Sequence, residues 1–163
     1  MPVYWSMLIV TSIISIYSLE IKKRNILKYE KNSFKYSLIC FLYIVFWCGM
    51  RDKVLDTGTY ISMYNSIPNG FFNIYKWAMN MDTGKGFYLM TGIFKQIMPN
   101  SHYIWLSAIS GISCWMFLRT YNKYSDNMPF VIYLFIATTT FTWLINGMRQ
   151  FLAVSILFGF SDL

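Results

Sequence analysis

The chain has 163 residues, of which 56% are hydrophobic, 20% aromatic and only 13% charged, and its formal net charge is +7. The charged share is about half that of ordinary soluble domains, so the composition excludes that class and predicts an integral membrane protein. Six of the cations lie in one short segment, so the positive charge does not indicate a nucleic-acid partner, and the sequence has no nucleotide-binding or zinc-peptidase motif.

Five apolar stretches predict an all-α fold, a polytopic transmembrane helical bundle that forms a single domain over residues 1–163. Each stretch is at or just below the roughly 17–25 residues that cross hydrocarbon. The first has no basic residue before it and no cleavage site after it, which favours a retained helix over a secretory signal. The stretches are Pro2 to Leu19, Tyr36 to Met50, Tyr103 to Leu118, Pro129 to Ile145 and Gly147 to Phe160.

The orientation follows from the segment between the first two stretches, which carries six basic residues. By the positive-inside rule this segment is cytoplasmic and the N-terminus is extracytoplasmic. Its cations are Lys22, Lys23, Arg24, Lys28, Lys31 and Lys35.

Residues 51–102 are too many for a simple connection, so we expect an extracytoplasmic loop. Within it, Gly86 to Met98 is apolar but short and contains Lys95, which favours an interfacial or re-entrant helix over a span. The loop Arg119 to Met128 then returns to the cytoplasm, and the start of the fifth stretch lies at the outer face.

That fifth stretch begins with polar residues that a membrane segment rarely carries. On a helix, Asn146, Arg149, Gln150 and Ala153 share one face because they are spaced at i, i+3, i+4 and i+7. An ionisable group at this depth is costly and indicates a function, so the face is predicted to bind an anionic polar ligand. The alternative is that Arg149 only extends to the interface or pairs with a carboxylate.

Arg51, at the outer end of the second stretch, is predicted to lie on the same side as Arg149. Two planar guanidinium groups can bind phosphate oxygens in a bidentate way, and a pyrophosphate is the membrane-associated anion that fits two of them. An arginine that ends a span is also often only an anchor.

Asp56, Tyr60 and Tyr64 follow at four-residue spacing and would share a helix face. A carboxylate beside aromatic rings can hold a sugar, because the acid accepts hydroxyl hydrogen bonds and the rings pack on apolar sugar faces. Asp56 could instead cap a helix, and the tyrosines could be packing or interfacial residues.

His102, the only histidine, is either a base for an attacking hydroxyl or a polar end-group. The cysteines lie inside apolar stretches without ligand spacing, so neither a metal site nor a disulfide is expected. They are Cys40, Cys48 and Cys114.

Two patches resemble the EpsG-type membrane proteins of bacterial exopolysaccharide and capsule assembly, which are similar to Wzy polysaccharide polymerases. The first is Arg51 followed by Asp56-Thr57 and Tyr60, and the more specific second is Asn-x-x-Arg-Gln-x-x-Ala from Asn146 to Ala153. A third patch, Gly86-Phe87-Tyr88-Leu89, lacks the acidic residue that the family often has before it.

The resemblance implies polymerisation of oligosaccharide repeat units linked to undecaprenyl pyrophosphate, at the outer face of the cytoplasmic membrane. It implies an enzyme without a metal or cofactor. Its partners would be the lipid-linked oligosaccharide, membrane lipids and other polysaccharide assembly proteins. Arg51 and Arg149 would be catalytic, and the substrate-binding residues would be Asp56, Tyr60, Tyr64, Asn146 and Gln150.

A multi-span transporter or flippase, or an accessory protein that binds lipid-linked saccharides, is the alternative. Thr138-Thr139-Thr140 and Thr142 could line a transport path, although such residues more often bond to the helix backbone. Members of the family are usually about twice as long, so the chain is expected to be an N-terminal fragment, inactive by itself.

Overall fold

The computed structural model describes residues 2–52, 54–138 and 140–161, without the side chains of residues 28–32, and within these ranges the fold is all-α. The described residues form nine helices and no strand. The helices are α1 (Pro2–Arg24), α2 (Ile26–Gly49), α3 (Thr57–Ser66), α4 (Phe71–Met79), α5 (Lys85–Ile97), α6 (His102–Tyr124), α7 (Met128–Ala137), α8 (Thr140–Asn146) and α9 (Met148–Gly159).

Helices α1, α2, α6, α7 and α9 pack side by side. Tyr4 donates a hydrogen bond to the Ile136 carbonyl at 3.2 Å, and Ser18 donates to the Asn127 side-chain oxygen at 3.3 Å. These two bonds join the start of α1 to the end of α7 and the end of α1 to the start of α7. The two helices are therefore antiparallel.

Helix α9 runs parallel to α6. Met148 at its start lies in one core cluster with Trp105, and Thr120 donates a hydrogen bond to the Phe158 carbonyl at 2.9 Å. The starts of α6 and α9 and the residues that follow α2 thus lie at one end of the bundle, which we call the Arg51 end. The opposite end carries the Lys22–Asp126 ion pair, at 3.8 Å, and we call it the basic end.

The basic segment is part of two helices instead of a loop. Helix α1 continues to Arg24 and α2 begins at Ile26, so Asn25 alone separates them. The side chains of Lys28 and Lys31 lie outside the described residues. Lysine and arginine are good helix formers, which explains why the helices extend past their apolar parts.

The segment 51–102 contains three helices. The predicted helix over Gly86 to Met98 corresponds to α5, Lys85–Ile97, whereas α3 and α4 were not predicted as elements. All three bury side chains against the start of α6 in a second core cluster. The residues of that cluster with less than a tenth of their surface exposed include Tyr64, Ile67, Ile74, Phe87, Trp105 and Met148.

Fewer helices meet the length and hydropathy of a membrane span than the five that were expected. Among the described residues, α1 meets both, and α7 with α8 adds a second span if the pair, bent by 64°, is counted as one. The apolar part of α2, Ser33–Gly49, and helix α9 are too short. Helix α6 is long enough, but its serines and its polar ends lower its hydropathy.

The predicted span Pro129 to Ile145 is divided between α7 and α8. The Thr138 hydroxyl donates to the Leu134 carbonyl at 2.7 Å, and such a bond offers the backbone an alternative to regular helix. Thr139 lies outside the described residues. The break turns α8 away from the axis of α7.

Candidate functional site

Arg51 follows the end of α2 and is almost completely buried, with 5% of its surface exposed. Its Nη2 donates a hydrogen bond to the Met148 sulfur at 3.4 Å. Its Nε and Nη1 are buried and have no hydrogen-bond partner among the described residues. Burial lowers the pKa of Arg51, and the Coulombic effects of Cys48 and Tyr60 oppose this shift. A buried guanidinium with so few partners is destabilising, which is typical of a group kept for binding.

Arg149 is the second residue of α9, and its half-buried side chain reaches across to the turn before α5. Its Nη1 donates to the Thr83 carbonyl and to the Tyr88 hydroxyl, both at 3.3 Å. Its guanidinium carbon also lies 5.9 Å from the centre of the Tyr88 ring. These contacts fix the direction of the side chain and leave further N–H groups of its fork for a ligand.

Gly84 leaves the space through which the Arg149 side chain reaches the turn before α5. It has a φ of +74°, and a Cβ there would lie 2.6 Å from the Arg149 Cδ. Any other residue would be strained in this left-handed conformation and would also collide with the arginine. The turn before α5 is therefore shaped around Arg149.

The two arginines lie at the same end of the bundle and are linked through α9. Arg51 contacts Met148, and Arg149 is the next residue along the chain. Their observed hydrogen bonds go to different groups, so the two side chains do not compete for one protein partner.

Three of the predicted substrate-binding residues line one surface pocket, of about 480 Å³ including space open to solvent. Asp56 lies on one side, and Asn146 and Gln150 come from the junction of α8 and α9. Asp56 precedes α3, but its side chain makes no capping hydrogen bond, so the capping alternative is not observed. The pocket combines a carboxylate with two amides, which suits a ligand rich in hydroxyl groups.

Trp143 also lines this pocket, and sequence reasoning missed it. Its side chain is 60% exposed although it is large and apolar. It stands three residues before Asn146, so extending the polar face by one turn toward the N-terminus would have found it. Its ring gives the pocket an apolar wall on which a sugar face can pack.

Tyr60 and Tyr64 do not line the pocket. Tyr60 is half-buried, with its ring 6.3 Å from that of Phe87. Tyr64 is 1% exposed, and its hydroxyl donates to the Met98 carbonyl at 2.6 Å. Its ring lies 5.0 Å from that of Trp105. The packing alternative fits the position of Tyr64, which has almost no exposed surface.

His102 and the cysteines occupy ordinary structural positions. His102 begins α6, with its ring centre 4.1 Å from that of Tyr103. Cys40, Cys48 and Cys114 are buried and unpaired. In the described ranges, no group of three or more histidine, cysteine or acidic side chains could hold a metal ion.

The EpsG family model matches residues 34–161, which is well over half of the chain and includes every candidate residue named above. No curated protein and no solved structure matches the chain.

Proposed function

The chain belongs to the EpsG family, membrane proteins related to exopolysaccharide biosynthesis, and on that premise we propose that it joins lipid-linked oligosaccharide repeat units into exopolysaccharide or capsule. The carrier and leaving group is undecaprenyl pyrophosphate. The reaction takes place at the outer face of the cytoplasmic membrane.

The charges of the bundle support this orientation. The basic end carries Lys22, Lys23, Arg24, Lys35 and Arg119, which the positive-inside rule assigns to the cytoplasm. The Arg51 end then faces outward. In this arrangement α1, α2, α6, α7 with α8, and α9 are the five membrane segments, and α3, α4 and α5 lie near the outer interface.

Arg51 is buried, and its Nε and Nη1 have no hydrogen-bond partner in the part of the chain that the structure describes; this observation carries the proposal. Nη1 lies beside Cδ and the Nε–H bond points to the opposite side of the guanidinium plane, so the two nitrogens donate in different directions. Each can therefore bind a separate oxygen of an anion that carries several of them. The family premise then identifies the anion as the pyrophosphate of the carrier.

The reaction uses the arginines as electrostatic catalysts. A hydroxyl of one repeat unit attacks the anomeric carbon of another and loses its proton to a base. The bond from that carbon to the pyrophosphate oxygen breaks, and the oxygen leaves with the electron pair. Arg51 and Arg149 stabilise the negative charge that develops on the departing pyrophosphate, which lowers the barrier.

The pocket of Asp56, Asn146 and Gln150 holds the sugar. The carboxylate and amide groups bond to hydroxyls, and the Trp143 ring packs on the apolar face. A flippase has less support from the described residues, because the Thr138 hydroxyl donates its hydrogen bond to its own helix.

Replacement of Arg51 by alanine in cells that depend on this gene tests the proposal, with polymer length and the location of the repeat units as the readouts. A polymerase loses long product while single units still reach the outer face. Units that remain at the cytoplasmic face would indicate a flippase. Unchanged polymer length would contradict the proposed role of Arg51.

A further inference from the structure

A groove between α2, α6 and α7 opens near the basic end, far along the bundle from Arg51. It has about 940 Å³ of empty space, part of it open to solvent. Its polar lining consists of Ser33, Ser37, Arg119 and Asn122. Its remaining lining is aromatic and aliphatic, and includes Phe41 and Trp115, whose rings meet edge to face at 6.2 Å.

The apolar part of the groove follows the two long helices that flank it. Phe34, Leu38 and Phe41 line it from α2, and Trp115 and Leu118 line it from α6. A ligand that fills the groove needs a polar end beside Arg119 and Asn122 and a hydrocarbon chain along these apolar side chains.

The polar part of the groove selects negative charge. Arg119 is exposed, and its guanidinium carbon lies 5.4 Å from the Phe160 ring. Among the described residues its guanidinium forms no hydrogen bond or ion pair, so its N–H groups are available to a ligand. Asp126 at this end lies 3.8 Å from Lys22, which offsets its charge.

We propose that this groove binds an anionic phospholipid of the cytoplasmic leaflet. The phosphodiester group lies against Arg119 and Asn122, and one acyl chain lies along Phe41 and Trp115 in the groove. Basic pockets between membrane helices on the cytoplasmic side recognise anionic head groups in this way. The inference needs the membrane location of the family and is independent of polymerisation.

The test measures lipid binding to the purified full chain in uncharged detergent by native mass spectrometry. Phosphatidylglycerol is expected to bind more tightly than phosphatidylcholine of the same chain length. Arg119→Gln should weaken phosphatidylglycerol binding by about fivefold, which is the contribution expected from one cation beside an anionic head group. Lys23→Gln removes the same charge from an exposed position on α1 and should change binding by less than about twofold.

Two further arms separate the lipid from other phosphates. Dihexanoyl phosphatidylglycerol has the same head group with short chains and should bind more weakly, because fewer methylene groups are buried in the groove. Inorganic phosphate should not compete. Equal binding of both phospholipids, wild-type binding by the Arg119→Gln variant, or displacement by inorganic phosphate would each overturn the proposal. A circular dichroism melt like that of the wild type shows that each variant is folded.

Discussion

Arg51 and Met148 are joined by a hydrogen bond of 3.4 Å from the guanidinium Nη2 to the thioether sulfur. A thioether is a weak acceptor, so this bond replaces little of the hydration that Arg51 loses on burial. Met148 is itself fully buried and precedes Arg149. The first turn of α9 therefore holds one arginine and orients the other.

We expect Arg51→Met to keep or raise stability while it abolishes long polymer. The substitution replaces a buried, poorly paired charge with an apolar side chain of similar length, and such changes are often neutral or stabilising by about 1–4 kcal/mol. Thermal unfolding in detergent, followed by circular dichroism, measures the effect. Arg24→Met is the control, since Arg24 is exposed and pairs with Glu20 at 3.3 Å. A large loss of stability in Arg51→Met alone would show that Arg51 is structural.

Gly84→Ala should displace Arg149 and reduce polymer formation. The new methyl group would lie 2.6 Å from the Arg149 Cδ, and the left-handed backbone adds about 1–2 kcal/mol of strain. Gly70→Ala is the matched control, because Gly70 has a φ of +91° and its nearest neighbour is the Asn73 side chain at 3.6 Å. Both variants should lose stability through backbone strain, Gly84→Ala at least as much as Gly70→Ala, and only Gly84→Ala should shorten the polymer. Equal polymer lengths in the two variants would contradict a role for the Arg149 position.

Tyr64→Phe should lower stability by about 0.5–1.5 kcal/mol, because the Met98 carbonyl loses the hydrogen-bond donor that lies 2.6 Å away. Tyr75→Phe, at a tyrosine that is 56% exposed, should have almost no effect. The thermal unfolding midpoint of each variant measures the difference. A polymerisation defect in Tyr64→Phe at unchanged stability would instead favour the predicted contact with sugar.

Asp56→Asn should raise the KM for the lipid-linked unit roughly tenfold or more, since hydrogen bonds to a charged acceptor contribute about 1.5–3 kcal/mol. Its exposed position predicts little change in stability. Asp82→Asn, at another exposed aspartate of the same segment, is the control. An unchanged KM in Asp56→Asn would show that the Asp56 carboxylate does not bind the sugar.

The local pattern of the sequence predicted elements that are continuous and periodic. The expected helix over Gly86 to Met98 and the observed α5, Lys85–Ile97, differ by one residue at each end. The break between α7 and α8 was missed, because it falls within an apolar run and depends on Thr138, whose hydroxyl bonds to the backbone of its own helix. Helices α3 and α4 were missed because burial against Trp105 and Leu106, which lie far along the chain, stabilises their short apolar faces.

The candidate site was predictable as a set of residue types but not as a geometry. The spacing of Asn146 and Gln150 predicts a shared face, and both line the same pocket. No local pattern indicates that the Arg149 side chain points toward Tyr88. Its direction depends on the space left by Gly84, which lies in the turn before α5. The same four-residue spacing also grouped Tyr64 with Asp56, although tertiary packing places Tyr64 in the core.

The most direct test of the central claim is the effect of inorganic pyrophosphate on the unfolding of the purified chain. A ligand that binds only the folded state raises the free energy of unfolding, by about 2.7 kcal/mol when its free concentration is a hundred times Kd. The unfolding midpoint rises as a result. Pyrophosphate should raise the midpoint of the wild type and leave that of Arg51→Met unchanged. An equal rise in both proteins would contradict the assignment of the buried Arg51 guanidinium to the pyrophosphate.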